Sequence, residues 1–116
     1  MAANSDLLRG ALEPVVLEVI AAGSSYGYEI ARAIQAASEG HLLAQEGTLY
    51  PALHRLEKRG LLRAQWTMSP EGRQRKHYRL TGAGRRRLDK LRTEWTSFSE
   101  AVSRILGTAH AGLVQV

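Results

Sequence analysis

Residues 46–62 read EGTLYPALHRLEKRGLL, and the fold turns on how this stretch is understood. Leu49, Leu53 and Leu56 recur at steps of four and three with Ala52 beside them, so they form one apolar helical face. Thr48, Tyr50, His54, Arg55, Lys58 and Arg59 fill the rest of the circumference. That side offers hydroxyls and cations, groups suited to an acceptor-rich surface such as nucleic acid. Pro51 fits best if Thr48 is the N-cap, because proline then sits at the third helical position, where its missing N–H is not needed. Gly60 ends the helix as a C′ residue. Gly47 either permits close backbone approach to a phosphate or is a small helix-packing residue.

Toward the N-terminus, Leu8, Leu12, Val15, Val16, Val19 and Ile20 give a helix over residues 5–22, with Ser5 or Asp6 as cap and Gly23 as stop. Pro14 either kinks this helix or marks its true start. Ser24 and Ser25 can cap a second helix, YGYEIARAIQAA, whose Ile30, Ala31, Ala33 and Ile34 face inward. A connector over 38–45 joins it to the opening stretch, and helix, connector, helix of these lengths is a loosely spaced helix-turn-helix.

Beyond Gly60, Leu62, Ala64, Trp66 and Met68 alternate against Arg63, Gln65 and Thr67, which predicts a half-buried strand. Ser69-Pro70-Glu71-Gly72 supplies a turn, and RQRKHYRL alternates again with Lys76, Tyr78 and Leu80 on one face. The pair makes a basic hairpin. Thr81 caps a last helix over 82–106, where Leu88, Leu91, Trp95, Phe98, Val102 and Ile105 step by 3, 4, 3, 4, 3. A chain this short has no second long helix to cover such a seam, so its cover is expected to be the same helix of a second copy. Leu8 and Leu12 of the first helix are expected to join that dimer interface. The domain reading is therefore 5–81 for the DNA-binding unit, 82–107 for the dimerisation helix and 108–116 for a flexible tail.

Charge is segregated. The chain has 116 residues and a net charge of +5, yet residues 55–92 alone carry thirteen of the sixteen Lys and Arg against three acids. The resulting positive field attracts a polyanion. With no cysteine, disulfides, thiolate metal sites and thiol nucleophiles are excluded. The N-terminus lacks a basic leader region and the most apolar run, 11–23, is interrupted by Glu13, Pro14 and Glu18, so no signal peptide or membrane span is expected and the cytoplasm is the expected location. No HExxH, paired acidic motif or nucleophile elbow occurs, so the protein is not expected to be an enzyme or to use a cofactor or metal. His54 and Glu57, one turn apart, are the best pair for a metal-responsive alternative; a module that holds an acidic protein is the other.

Three blocks then carry a resemblance: YGYEI at 26–30, GTLYPALHRLEKRGLL at 47–62 and GRQRKHYRLT at 72–81, followed by Gly84. In this order they resemble the PadR-family transcriptional regulators, in the short subfamily with one C-terminal helix. The resemblance implies a mainly α winged helix-turn-helix with a two-stranded β-wing, binding double-stranded DNA as a homodimer and acting as a ligand-responsive repressor. It starts the recognition helix nearer Gln45 than Thr48, which would leave Gly47 without its ladder partner. Arg55, Lys58, Arg73, Arg75 and Lys76 would then hold phosphates; Tyr26, Tyr28, Thr48 and Tyr50 would add hydroxyl contacts, and His54 would help read the operator. Multidrug-sensing members resemble this chain in carrying a tryptophan at the place of Trp95, where flat aromatic compounds stack. By alignment Leu7, Glu13, Pro14, Leu91, Trp95 and Ser99 would line such a cavity, with Glu13 able to meet a cationic effector. Plain packing of Trp95 is the alternative, as is a seam closed by Leu91 and Phe98.

Overall fold

The computed structural model describes residues 5–108, and the side chains of that span apart from residues 5–7 and 9. Leu7 and the tail beyond Thr108 therefore lie outside the described parts. The element order is α1 (Ser5–Ala21), α2 (Gly27–Ala37), α3 (Glu46–Lys58), β1 (Leu62–Met68), β2 (Gln74–Leu80) and α4 (Gly82–Leu106). One core holds these elements together, built from Leu8, Leu12, Val16, Leu17, Ile20, Ile30, Ile34, Leu49, Leu53, Leu56, Leu62, Tyr78 and Leu88 with their neighbours.

Helix α1 runs from Ser5 through Pro14 without restarting there, so the proline is inside the helix. The ends of the helices follow local chemistry. Gly60, at φ +78°, sends its N–H to the Glu57 carbonyl while Leu61 N–H reaches Leu56, a Schellman motif closing α3. At the start of α2 the N-cap is Tyr26, without a side-chain cap; instead the Glu29 carboxylate reaches back to accept from Ser25 N–H at 2.6 Å. Thr81 caps α4 as expected, its hydroxyl accepting from Gly84 N–H.

The start of α3 differs from the expectation built on Pro51. The helix begins at Glu46 with Gln45 as N-cap, a turn before Thr48, and continues through Pro51. Gln45 carbonyl accepts from both Thr48 and Leu49 N–H, which locks the first turn before the proline is reached. Pro51 is exposed, so Gly47 carbonyl, deprived of a donor at position 51, is left on the water side of the helix, where the loss costs least.

The strands pair antiparallel, Leu62 opposite Leu80 through Met68 opposite Gln74. The expected inward face exists, but it leaves the core halfway. Leu62 and Tyr78 are buried and Ala64 is half-buried, whereas Trp66 is 61 % and Met68 64 % exposed. Alternation told which residues share a face but not where the core beneath that face ends. A bridge from Tyr26 to His77 adds the chain entering α2 to the free edge of β2, with Tyr78 N–H donating to Ser25 carbonyl.

Helix α4 lies along α1 in the same direction, because Arg87 meets Glu13 and Arg92 meets Glu18, five residues further on in both helices. Gly84 lets the start of α4 close on the segment between α3 and β1: a Cβ there would overlap the Leu61 carbonyl oxygen. Since α1 ends three residues after Glu18, α4 beyond Trp95 has no helix of its own chain to lie on, and Phe98, Ile105 and Leu106 are exposed.

Candidate nucleic-acid interface

On α3 the apolar face is spent on the core: Leu49, Ala52, Leu53 and Leu56 are all buried. Gly47, Tyr50, His54 and Lys58 follow at helical steps along the opposite side, all exposed, with Arg55 beside them. A Cβ at Gly47 would meet nothing within 4 Å, which removes the helix-packing explanation for this glycine and leaves an open approach to the helix backbone. Tyr50 is fixed from below by Gly27, where a Cβ would stand 2.5 Å from Tyr50 Cε1 and 2.8 Å from its hydroxyl oxygen. The glycine of YGYEI thus makes room for the tyrosine of TLYPAL.

Tyr26 carries two contacts from the wing. Its ring lies 5.4 Å from that of His77, and the Arg75 guanidinium stands 4.5 Å above it. His77 Nδ1 is in turn 2.8 Å from Ser25 Oγ. Tyr28 is exposed and its hydroxyl accepts from Arg32. Tyr26, Tyr28 and Arg75, together with Tyr50, Trp66 and Lys76, rim a recess of about 310 Å³ between the start of α2, α3 and the wing. Trp66 was missed as a surface residue by the sequence pattern, which carries no local signal for where the wing outruns the core.

The wing tip is a tight loop. Ser69 N–H donates to Arg73 carbonyl at 2.7 Å, Arg73 N–H donates to Ser69 Oγ at 3.1 Å, and Gly72 sits at φ +83°. This fixes Arg73 opposite Ser69 at the base of the wing-tip turn, exposed.

Ion pairing sorts the cations. Lys76 differs from the other cations of the wing: its ammonium lies 2.9 Å from Glu57 Oε1 and close to the Trp66 and Tyr78 rings, so its charge already has a partner within the chain. The carboxylate oxygen it meets is shielded from solvent and has no well-aligned hydrogen bond, so the contact is an ion pair. It nonetheless raises the Lys76 pKa above the ordinary lysine value. Glu57, the residue suggested with His54 for a metal, is the one that meets Lys76, and among the described residues there is no group of three or more His, Asp or Glu side chains placed to hold a metal ion. Arg75 leans on Glu71 at 3.6 Å as well as on Tyr26. For Arg55, Lys58 and Arg73 the described residues supply no carboxylate partner within 4 Å.

Glu13 likewise has partners within the chain. Burial raises its pKa, but Arg87 at 2.9 Å and Arg59 at 3.3 Å outweigh this and hold the carboxyl below the ordinary value. A carboxylate committed to two arginines joining α1, α3 and α4 is not free to meet a cationic effector. Within the single chain an apolar groove of about 580 Å³ lies between α1, the end of α2 and α4. Pro14 and Trp95 line it, with Val15, Glu18, Ile34 and Arg92; Glu13, Leu91 and Ser99 do not. Along the seam, Leu8, Leu12 and Leu88 are buried by their own chain, so a partner helix would meet the later members. Leu91 and Val102 are half-exposed, and Trp95, Phe98 and Ile105 exposed, the Trp95 and Phe98 rings 5.8 Å apart.

A helix with cations on its outward side, a basic hairpin beside it and a long helix leaving the core meet their counterpart in comparison with known proteins. The model of the PadR-like family of transcriptional regulators matches residues 16–90. The chain belongs to that family. A protein of Lysinibacillus sphaericus is 35 % identical over 99 residues, covering 85 % of this chain and 91 % of the relative. The crystal structure of a PadR-like transcription factor from Bacteroides fragilis superposes with a TM-score of 0.70 at 35 % identity, covering 87 % of this chain and 95 % of the other. A PadR-like regulator from Bacillus cereus gives 0.73 at 30 % identity, covering 90 % of this chain and all of the other. As a PadR-family regulator the chain has a winged helix-turn-helix with a small β-wing, and DNA binding follows from the family. Among the described residues no helix is long and apolar enough to cross a membrane.

Proposed function

We propose that two copies of this PadR-family chain, joined along α4, repress transcription by holding two α3 helices in successive major grooves of a roughly palindromic operator, and that a planar aromatic compound controls the fit. The observation that carries the reading is the sorting of the cations. Arg59, Lys76, Arg87 and Arg92 are each paired with a carboxylate, while Arg55, Lys58 and Arg73 have no carboxylate partner among the described residues and stand exposed on the outward side of α3 and in the wing-tip loop. Gly47, Thr48, Tyr50 and His54 open α3 toward base edges, and Tyr26 and Tyr28 flank them from the start of α2. The exposed half of the seam supports the dimer. The effector reading is supported by the apolar groove, where Trp95 faces Pro14 and Val15.

Selection of bound duplexes from a random pool tests the core of the proposal. A palindromic consensus, with half-sites one or two helical turns apart, is the expected result; a single asymmetric half-site would rule the dimeric reader out. Repeating the selection with planar aromatic cations while following Trp95 fluorescence tests the effector. Quenching with loss of DNA is expected, and no change up to the solubility limit would leave a ligand-independent regulator.

A further inference from the structure

Away from the recognition helix, a second concentration of positive charge has no counter-charge of its own. Arg63 and Arg79 are directly opposite one another in the β-ladder, on the face of the hairpin turned from the core. Like charges at opposed positions repel. Arg85, in the first turn of α4, completes a recess of about 560 Å³ that these three side chains share with the end of α1 and the segment Leu80–Gly82. The first turn of α4 contains no acidic residue, although the N-terminal end of a 25-residue helix favours anions and disfavours cations.

Six cations elsewhere, Arg59, Arg75, Lys76, Arg87, Lys90 and Arg92, each have a carboxylate within 4 Å. Among the described residues Arg63, Arg79 and Arg85 have none, and no carboxylate lines the recess. The negative end of α1 abuts it, but a helix terminus counts for about half a charge against three full cations. Two of the hydroxyls lining it are engaged within the chain, Ser25 with His77 and Glu29, Thr81 with Gly60 carbonyl and Gly84 N–H. What remains is three guanidinium forks around a cavity wider than one phosphate.

We propose that Arg63, Arg79 and Arg85 form a phosphate-binding site at the base of the wing, sized for two or more linked phosphates. Guanidinium groups pair with phosphate oxygens in bidentate fashion, and occupancy would relieve the repulsion built into the ladder. The site lies about 17 Å from the wing tip, five strand residues away, so it is separate from Arg73. Its phosphates could come from a free polyphosphate or from a duplex strand passing the wing, and the inference holds whether or not the operator is palindromic.

Inorganic triphosphate, titrated into the full chain at constant ionic strength, separates these sources. If the phosphates are free, saturable binding and a raised Tm are expected, weakened at least tenfold by Arg79→Gln and unchanged by Arg104→Gln in the last turn of α4. Arg79→Gln removes a repulsion, so its Tm without phosphate should not fall, which distinguishes a lost site from a lost fold. If instead triphosphate does not bind but Arg79→Gln lowers the salt slope of duplex binding by about one per subunit, the same site is serving the DNA backbone. Triphosphate binding equal in wild type and Arg79→Gln, or no effect of Arg79→Gln in either assay, overturns the proposal.

Discussion

Two glycines twenty positions apart do opposite work beside Tyr50. At Gly27 any side chain collides with the Tyr50 ring, so Gly27→Ala should push that ring toward solvent and cost about 1 to 2 kcal/mol. Duplex affinity should fall with it, because the hydroxyl moves from its place on α3. Gly47 has open space, so Gly47→Ala should leave the fold intact, or stabilise it by up to about 1 kcal/mol through helix propensity, and weaken only DNA binding. Denaturant unfolding and duplex titration of both variants check the contrast; a Gly47→Ala protein that binds DNA normally would show that nothing approaches that backbone. Glu13 is the residue that ties stability to pH. Its folded pKa is depressed, so its contribution is complete above the unfolded value near 4.5 and disappears as pH falls through the lower folded value. Glu18, depressed by Arg92, acts in the same sense. Glu13→Gln should cost about 1 kcal/mol at neutral pH, a figure discounted for the partial exposure of all three groups. Its stability should also fall less steeply than wild type between about pH 5 and 3. A parallel pair of stability curves would mean the Arg59 and Arg87 contacts contribute nothing to acid sensitivity.

At the level of elements, Pro51 is the place where local rules and the fold disagree. Placed six residues into α3, it removes one ladder bond and costs roughly 3 kcal/mol against alanine in a helix interior, moderated here by exposure and by the entropy proline removes from the unfolded chain. Pro51→Ala should therefore stabilise the protein by about 1 to 2 kcal/mol; a lower Tm would mean that the proline organises the first turn of α3. The sequence pattern put the proline where it would do least harm and so started α3 a turn late, because no local signal says that Gln45, a side chain without a cap bond, opens a helix. Elements whose ends are set by neighbouring residues were readable. Gly60 closing α3, Thr81 opening α4 and the pairing of Ala64 with Tyr78 all follow from nearby residues or strict alternation. What could not be read is long-range: Lys76 turning to Glu57, Glu13 joining three helices, and the point at which Trp66 outruns the core. Each depends on which elements end up side by side, and a periodic pattern is silent about that. The candidate interface divides the same way. Arg55, Lys58, Arg73 and His54 stand where helix and hairpin periodicity put them, whereas Lys76, on the correct face of its strand, is claimed by a residue nineteen positions earlier.

For the whole molecule the deciding quantity is what α4 does after it parts from α1. Its first turns are clamped by Arg87 to Glu13 and Arg92 to Glu18, so the helix leaves the body in a fixed direction, presenting Trp95, Phe98 and Ile105 to solvent. Large exposed apolar side chains at seam spacing on a rigid helix are costly unless a second surface covers them. Phe98 is the sharpest probe, since it is 60 % exposed and takes no part in the core, so Phe98→Glu should spare the fold of the monomer. The wild-type chain should sediment at twice its 12.8 kDa, and the variant at the single-chain mass. Coupling two reading heads raises operator affinity by a hundredfold or more without any new contact, so the variant should lose at least that factor while keeping weak, salt-sensitive half-site binding. For wild type, Arg55, Lys58 and Arg73 of each subunit give about six phosphate contacts per dimer, and affinity should drop about a thousandfold between 50 and 200 mM salt; for a Phe98→Glu monomer the slope should halve. A variant that is monomeric yet binds the operator with undiminished affinity and slope would place the phosphate contacts on one subunit alone, and α4 would then need another reason to carry its apolar stripe into solvent.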